Sequence, residues 1–460
     1  MLRRIVRDGG VVADGVPLWR NRPFQLLWAG GAVSQLGTEL TRLAMPLLVL
    51  AVTRSPGLAG LVAGARALAF IGAQLPAGVW VDWWDRRRTL IAALGIQTAN
   101  AAGLSALILA GTPPIWALVA FALADGVCAA FAGPARTTAI RGVVPPDQLR
   151  GAYAQEESRN HAARLAGPPL GGLLYGLGRA VPFLADALTF LIALLCTILA
   201  KVPRRPGTEP DGTATEPDGA RHATATAPGH GRSTAREPEP GPGGAARASM
   251  RREVAEAFRW LWRRRGLRAI IGVVLALNLL GGAFLLPLIV LVGERGGGAL
   301  TTGTVLAGIG IGGLAGALLS GRVGGLMPAG RLTLLLAAVL GLANLAMALP
   351  LGPWWPMVPL VVVSLITPAF NVVMNVVIVR NVPEAMLGRM DAVFVVAAMG
   401  LTPLGPVLGG ALADGLGGAG ALITLGVLFL LTAATAATSR DLRAFTDGDA
   451  PGLDPGAARR

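Results

Sequence analysis

The chain has 460 residues, of which 53% are hydrophobic and only 14% charged, with a formal net charge of +14. Soluble globular chains carry about 25% charge, so a water-facing surface of this length is excluded, and a soluble enzyme with it. The 64 glycines follow no three-residue period, which excludes collagen. The two cysteines, Cys128 and Cys196, both lie in apolar runs and support neither a disulfide framework nor a metal cluster, so no metal or cofactor is expected.

A helix needs about 20 apolar residues to cross the hydrocarbon core. Twelve runs qualify, near 24–50, 57–79, 89–111, 115–134, 152–177, 181–201, 269–292, 299–320, 332–350, 357–379, 390–413 and 418–438. Strand alternation is absent, which argues against a transmembrane barrel. The Arg-rich residues 1–22 lead into a run too long for the apolar core of a cleavable signal, so the first span is expected to stay as an anchor.

Basic residues orient the spans. The turns after spans 2, 4, 8 and 10 hold Arg86, Arg87, Arg88, Arg136, Arg141, Arg150, Arg322, Arg331, Arg380 and Arg389. The turns after odd-numbered spans hold only Arg54, Arg179 and Arg295. Both termini and the even-numbered turns are therefore expected in the cytoplasm of a cell-membrane protein. The positive charge marks topology, and no nucleic-acid partner is expected.

Residues 203–249 contain no Leu, Ile, Val, Met or aromatic residue, and six Arg balance six acidic side chains. Thr-Glu-Pro-Asp-Gly repeats at 208–212 and 215–219. Such a segment cannot build a core and reads as a disordered cytoplasmic linker between residues 1–202 and 250–460. Beyond it, Met250 to Arg268 places Val254, Phe258, Leu261 and Trp262 on one helical face among arginines, the pattern of an interfacial helix.

The two parts also match each other. An offset of 238 aligns 144–174 with 382–412 without a gap, and ten of 31 positions are identical, including Gly-Pro-x-Leu-Gly-Gly at 167–172 and 405–410. An offset of six spans keeps the orientation. The expected fold is an all-α polytopic membrane protein of twelve transmembrane helices, as two six-helix bundles related by a parallel repeat.

Residues 78–90 fit the pattern G-x-L-a-D-r-x-G-r-k-x-x-l at Gly78, Asp82, Arg86, Arg87 and Leu90, with Trp83 replacing a basic residue and Asp85 replacing the second glycine. With six plus six spans and a long central loop, the chain resembles the major facilitator superfamily. The Asp-Arg-Arg-Arg ending, Leu27-Trp28 with Ser34 and Gly37, Gly133-Pro134-Ala135-Arg136, and Gly388-Arg389 resemble the branch of enterobactin exporters and macrolide efflux proteins. The resemblance implies that Asp82 latches the outward-open state against the N-terminus of span 11 and Arg136 or Arg141. A carboxylate at a helix N-terminus is physically favourable.

Gly167, Pro168, Gly171 and Gly172 in span 5 resemble the exporters' antiporter motif, with Ala163 in place of its leading glycine. Small residues permit close packing, and proline permits bending. A family arginine in span 4, three residues before Gln-Gly, is absent, because Ala122 precedes Asp125-Gly126.

Charges at membrane depth are the candidates for function, since an unpaired one costs several kcal/mol. Glu39, Arg42, Arg66 and Asp125 could share a cavity in the N-terminal bundle, with Asp186 nearer the outer face. Arg164 ends a series on span 5 in which Glu156 can meet Arg159, Asn160 or Arg164, and Glu157 can meet His161. The C-terminal bundle offers Asn278, Asn371, Asn375 and Asp391. Glu39 or Asp125 is the expected proton-coupling carboxylate, the alternative being a static pair of Glu39 with Arg42 or Arg66.

The expected activity is export of a drug, siderophore or secondary metabolite in exchange for protons, by alternating access in a monomer embedded in the lipid bilayer. Importer, uniporter and non-transporting sensor are the alternatives. No Walker loop or nucleophile elbow supports an enzyme or an ATP-driven pump.

Overall fold

A computed structural model describes residues 17–83, 85–200, 265–323, 329–381 and 400–438. The expected linker over 203–249, residues 250–264 of the expected interfacial helix, and residues 390–399 of the run over 390–413, with Asp391, lie outside the described residues.

Among the described residues, the first part of the chain forms α1 (Arg22–Thr53), α2 (Pro56–Trp83), α3 (Arg86–Ala110), α4 (Ile115–Val143), α5 (Leu149–Leu177) and α6 (Val181–Leu199). The second part forms α7 (Arg265–Ala283), α8 (Leu285–Glu294), α9 (Ala299–Val323), α10 (Ala329–Met347), α11 (Met357–Asn381) and α12 (Leu404–Thr438). The run predicted as one span over 269–292 is two helices, α7 and α8, that meet at Phe284. The segment 404–438, labelled α12, is two helical stretches that meet at a kink at Gly417, φ 68°, within the gap predicted between 413 and 418. A side chain there would be strained. Nine described helices or helix pairs are long and apolar enough to cross a membrane. Helix α5 is not among them, because its first half carries the charges.

Local signals explain the ends. Asn21 caps α1 by accepting from the Phe24 N–H at 3.1 Å, and its Nδ2 donates to the Val143 carbonyl at 2.8 Å, tying the start of α1 to the end of α4. Asp85 caps α3, accepting from the Arg87 and Arg88 N–H groups. The residue that departs from the resembled motif thus has a structural use.

Helix α1 packs on α5 and α6, α2 on α4, and α3 on α4 and α6. In the second part, α9 packs on α11, and α12 on α7, α8 and α10. Two long seams join the parts, α5 with α9 and α2 with α12. Their chemistry is parallel. On α5, Gly167 and Gly171 lie against Glu39 and Leu40 of α1, while Gly172 lies against Ala299 of α9. On α12, Gly405 and Gly409 lie against Leu279, Gly282 and Ala283 of α7, while Gly410 lies against Pro56 and Gly60 of α2.

The apolar clusters divide by level. One holds Phe24, Leu27, Leu90, Leu94 and Ile140, all from the first part. Another holds Leu277, Leu336, Phe370 and Phe429, all from the second. At the opposite end the parts share clusters: Leu43 of α1 packs with Leu288, Leu291 and Leu422, and Leu286 of α8 packs with Leu48 and Phe183. Among the described residues, the two parts are therefore joined at the end away from the Arg-rich turns.

Candidate functional site

Helix α1 contributes two charged residues near its middle. Glu39 is 2% exposed, and its Oε2 stands 3.3 Å from Arg42 Nη1, one helical turn on. Gln35 Nε2 donates to Glu39 Oε1 at 3.3 Å. The carboxylate reaches this depth because α5 presents Gly167 to it; a Cβ there would collide with Glu39 Cβ. Arg42 keeps 55% side-chain exposure although protein atoms surround it on most sides. Arg66 and Arg164 stand within electrostatic reach of it.

Arg66 of α2 pairs with α4. Its Nε donates to Asp125 Oδ2 at 2.7 Å, and Gln97 Nε2 of α3 donates to Asp125 Oδ1 at 3.4 Å. Gly126, next in sequence, lets α4 approach the Arg66 carbonyl closely. Asp186 of α6 is 1% exposed and accepts from Thr41 Oγ1 at 2.6 Å and Thr189 Oγ1 at 3.4 Å. It makes no ion pair within 4.0 Å among the described residues.

A second cluster lies towards the Arg-rich end. Arg159 Nη1 is 2.6 Å from Glu156 Oε1, Nη2 donates to Asn160 Oδ1 at 3.2 Å, and Nε is buried without a protein partner. Arg136 Nη2 donates to Ser34 Oγ at 3.3 Å, and both guanidiniums converge on Gly31. His161 Nε2 stands 3.2 Å from Glu157 Oε1 on an exposed turn.

Several predicted residues thus come together: Glu39 with Arg42, Arg66 with Asp125, and Arg164 near Arg42. Glu39 does not pair with Arg66, and Glu156 selects Arg159 over Arg164. Gly167, Gly171 and Gly172 line seams, and Arg87 Nη2 donates to the Ile198 carbonyl at 2.7 Å. Gly78 and Asp82 lie on the backbone of α2 and Arg86 begins α3, but their side chains, like that of Asn375, lie outside the described residues. Sequence reasoning missed Gln35, Thr41, Gln97 and Thr189 as carboxylate partners. Gln35 was findable, four residues before Glu39 on one helix; Gln97 and Thr41 were not, because helix packing alone brings them in. Among the described residues no group of three His, Cys, Asp or Glu could hold a metal.

The sequence profile of the Major Facilitator Superfamily matches residues 27–402. The multidrug efflux pump Tap of Mycobacterium tuberculosis (strain ATCC 25618 / H37Rv) is 29% identical over 413 residues, covering 86% of this chain and 88% of that protein. The same figures hold for Tap of Mycobacterium bovis (strain BCG / Pasteur 1173P2). Among solved structures, a bacterial homolog of the human lysosomal transporter Spinster, inward-facing and unoccupied, superposes with a TM-score of 0.68 at 15% identity. It covers 95% of this chain and 100% of that one. The multi-pass chain belongs to the Major Facilitator Superfamily and is a transporter rather than an enzyme.

Proposed function

We propose that the chain exports small organic or amphiphilic compounds in exchange for protons, by alternating access between two six-helix bundles. The observation that carries this reading is the charge constellation: Glu39 with Arg42 and Arg66 with Asp125 at mid-helix in the first part. Charges so placed are expensive to keep in a membrane even when paired, which points to a use in transport. Protonation of Glu39 or Asp125 breaks an ion pair and resets the cavity, so a proton gradient can act on it. The named activity of Tap supports the export direction.

Twelve spans in two bundles suit the matched seams, in which Gly167, Gly171 and Gly172 have counterparts in Gly405, Gly409 and Gly410. The Arg-rich turns face the cytoplasm by the positive-inside rule, with both termini and the 203–249 linker on that side. The seam that joins the parts then seals the outer end, and the cavity loads from the cytoplasm. The functional unit is a monomer.

Counterflow in vesicles with an imposed pH gradient tests the reading. A proton-coupled exporter accumulates labelled compound against its gradient when the proton gradient is opposed to it. An importer or uniporter of this fold only equilibrates, and a sensor moves nothing.

A further inference from the structure

Arg164 stands apart from the other charges of the constellation. It lies on α5 about 22 Å from the start of the helix at 1.5 Å per residue, is exposed, and has no carboxylate within ion-pair distance among the described residues. The geometry of α5 says where it faces. Gly167 and Gly171 meet α1, while Leu165, Pro168 and Gly172 meet Gly310, Gly303 and Ala299 of α9. At 100° per residue, Arg164 falls between Gly171 and Pro168, in the angle that opens between the first part and the second. The exposed Leu170, Leu173 and Leu177 occupy the opposite side of α5, where lipid belongs. Arg164 therefore faces the angle between α1 and α9 rather than the bilayer.

A like charge, Arg42, stands within electrostatic reach of it. Arg42 is half exposed, and Arg164 and Arg66 both raise the positive potential at it. Three guanidiniums face two carboxylates, Glu39 and Asp125, each already committed to one arginine. Asp186 is closed off beneath Thr41 and Thr189. Among the described residues, one guanidinium's worth of charge is left without a carboxylate partner at membrane depth, with its planar array of donors turned to the angle between α1 and α9.

Resting on the transport reading above, we propose that the compound moved by this chain carries an anionic group, a carboxylate, sulfonate or phosphate, that seats on Arg164 with Arg42 beside it. A guanidinium pairs with such groups through two parallel hydrogen bonds, which gives orientation as well as attraction. A cationic compound would meet an uncompensated guanidinium instead. An anion leaving an inside-negative cell also moves down the membrane potential, so export of this charge class is electrically favourable.

A matched probe pair tests this: 8-anilinonaphthalene-1-sulfonate and N-phenyl-1-naphthylamine, which share one body and differ by the sulfonate. Binding to the full chain in phosphatidylcholine nanodiscs is read by energy transfer from its tryptophans. The expected result is that Arg164→Gln weakens the sulfonate about tenfold, the scale of one charge-assisted hydrogen bond. The uncharged twin stays within about twofold, and Arg164→Lys falls between on the sulfonate. Loss of both probes together, or of neither, overturns the proposal; if Arg164→Gln fails to fold, Arg42→Gln is read the same way. Phosphatidylglycerol in the discs distinguishes the source of the anion. If it displaces the sulfonate from the protein beyond its effect on empty discs, the site holds a lipid headgroup and the proposal falls. Cellular export is a separate readout. Charge-selective binding without export retains this proposal and removes the exporter, whereas equal export of both probes does the reverse.

Discussion

Arg66 Nε stands 2.7 Å from Asp125 Oδ2, an ion pair that fastens α2 to α4 about 15 Å along each helix. Gln97 supplies a further donor to the same carboxylate from α3, so three helices meet on one side chain. Asp125→Asn removes the charge and leaves Arg66 facing an amide. Because Arg66 is 36% exposed, water softens the loss, and the expected destabilisation is about 2 kcal/mol rather than the 3–5 kcal/mol of a fully buried pair. A double-mutant cycle with Arg66→Gln, read by thermal unfolding of the purified protein, should recover part of it. Additive losses would mean that the pair is not coupled in solution.

Glu39 is predicted to act differently. Glu39→Gln keeps the hydrogen bond from Gln35 but cannot release or take a proton. Proton-driven efflux should fall at least tenfold while binding of the transported compound stays within about threefold. Steady-state accumulation across an imposed pH gradient, measured beside equilibrium binding, separates the two effects. Unchanged efflux would remove Glu39 from the coupling site and leave it a static partner of Arg42.

The small residues make a third prediction. A methyl at Gly167 would meet Glu39 Cβ and push α5 from α1, whereas a methyl at Gly95 of α3 meets nothing within 4 Å. Gly167→Ala should destabilise by about 1–3 kcal/mol through overpacking. Gly95→Ala should be neutral or stabilise by up to about 1 kcal/mol through helix propensity. Equal melting temperatures for the two variants would contradict the assigned seam.

The joined end can be tested by locking it. Ser55 Oγ donates to Asp414 Oδ1 at 3.2 Å, a polar contact between the two parts at the start of α2. Cysteines at both positions should cross-link under mild oxidation and stop transport, with recovery on reduction, because the proposed alternating access requires this end to part. Transport that continues through the cross-linked protein would contradict that motion.

How much of this was legible in the sequence follows from the range of the forces. Helix positions were readable because apolar length is local: the predicted start at 181 is also where α6 begins. The pair of Glu156 with Arg159 was readable because residues three apart share a helical face. The break at Phe284 carries a local signal, Gly281 and Gly282 before it and Pro287 three residues after it, but glycine and proline are so frequent in these spans that neither singles it out. The choice of Asp125 by Arg66 was not readable, since it depends on Gly126 letting α4 approach α2. Thr41 carries no local signal either, because only the packing of α6 brings Asp186 against it.

The central claim is that this transporter uses an intramembrane carboxylate to drive compounds outward. Its most direct test is accumulation of a panel of fluorescent cationic, anionic and neutral compounds in a pump-deficient host carrying wild type, Glu39→Gln or empty vector. The account predicts that wild type lowers the cellular level of at least one anionic compound several-fold, that a protonophore erases the difference, and that Glu39→Gln matches the vector. Levels equal to the vector for every compound, or a difference that survives the protonophore, would contradict it.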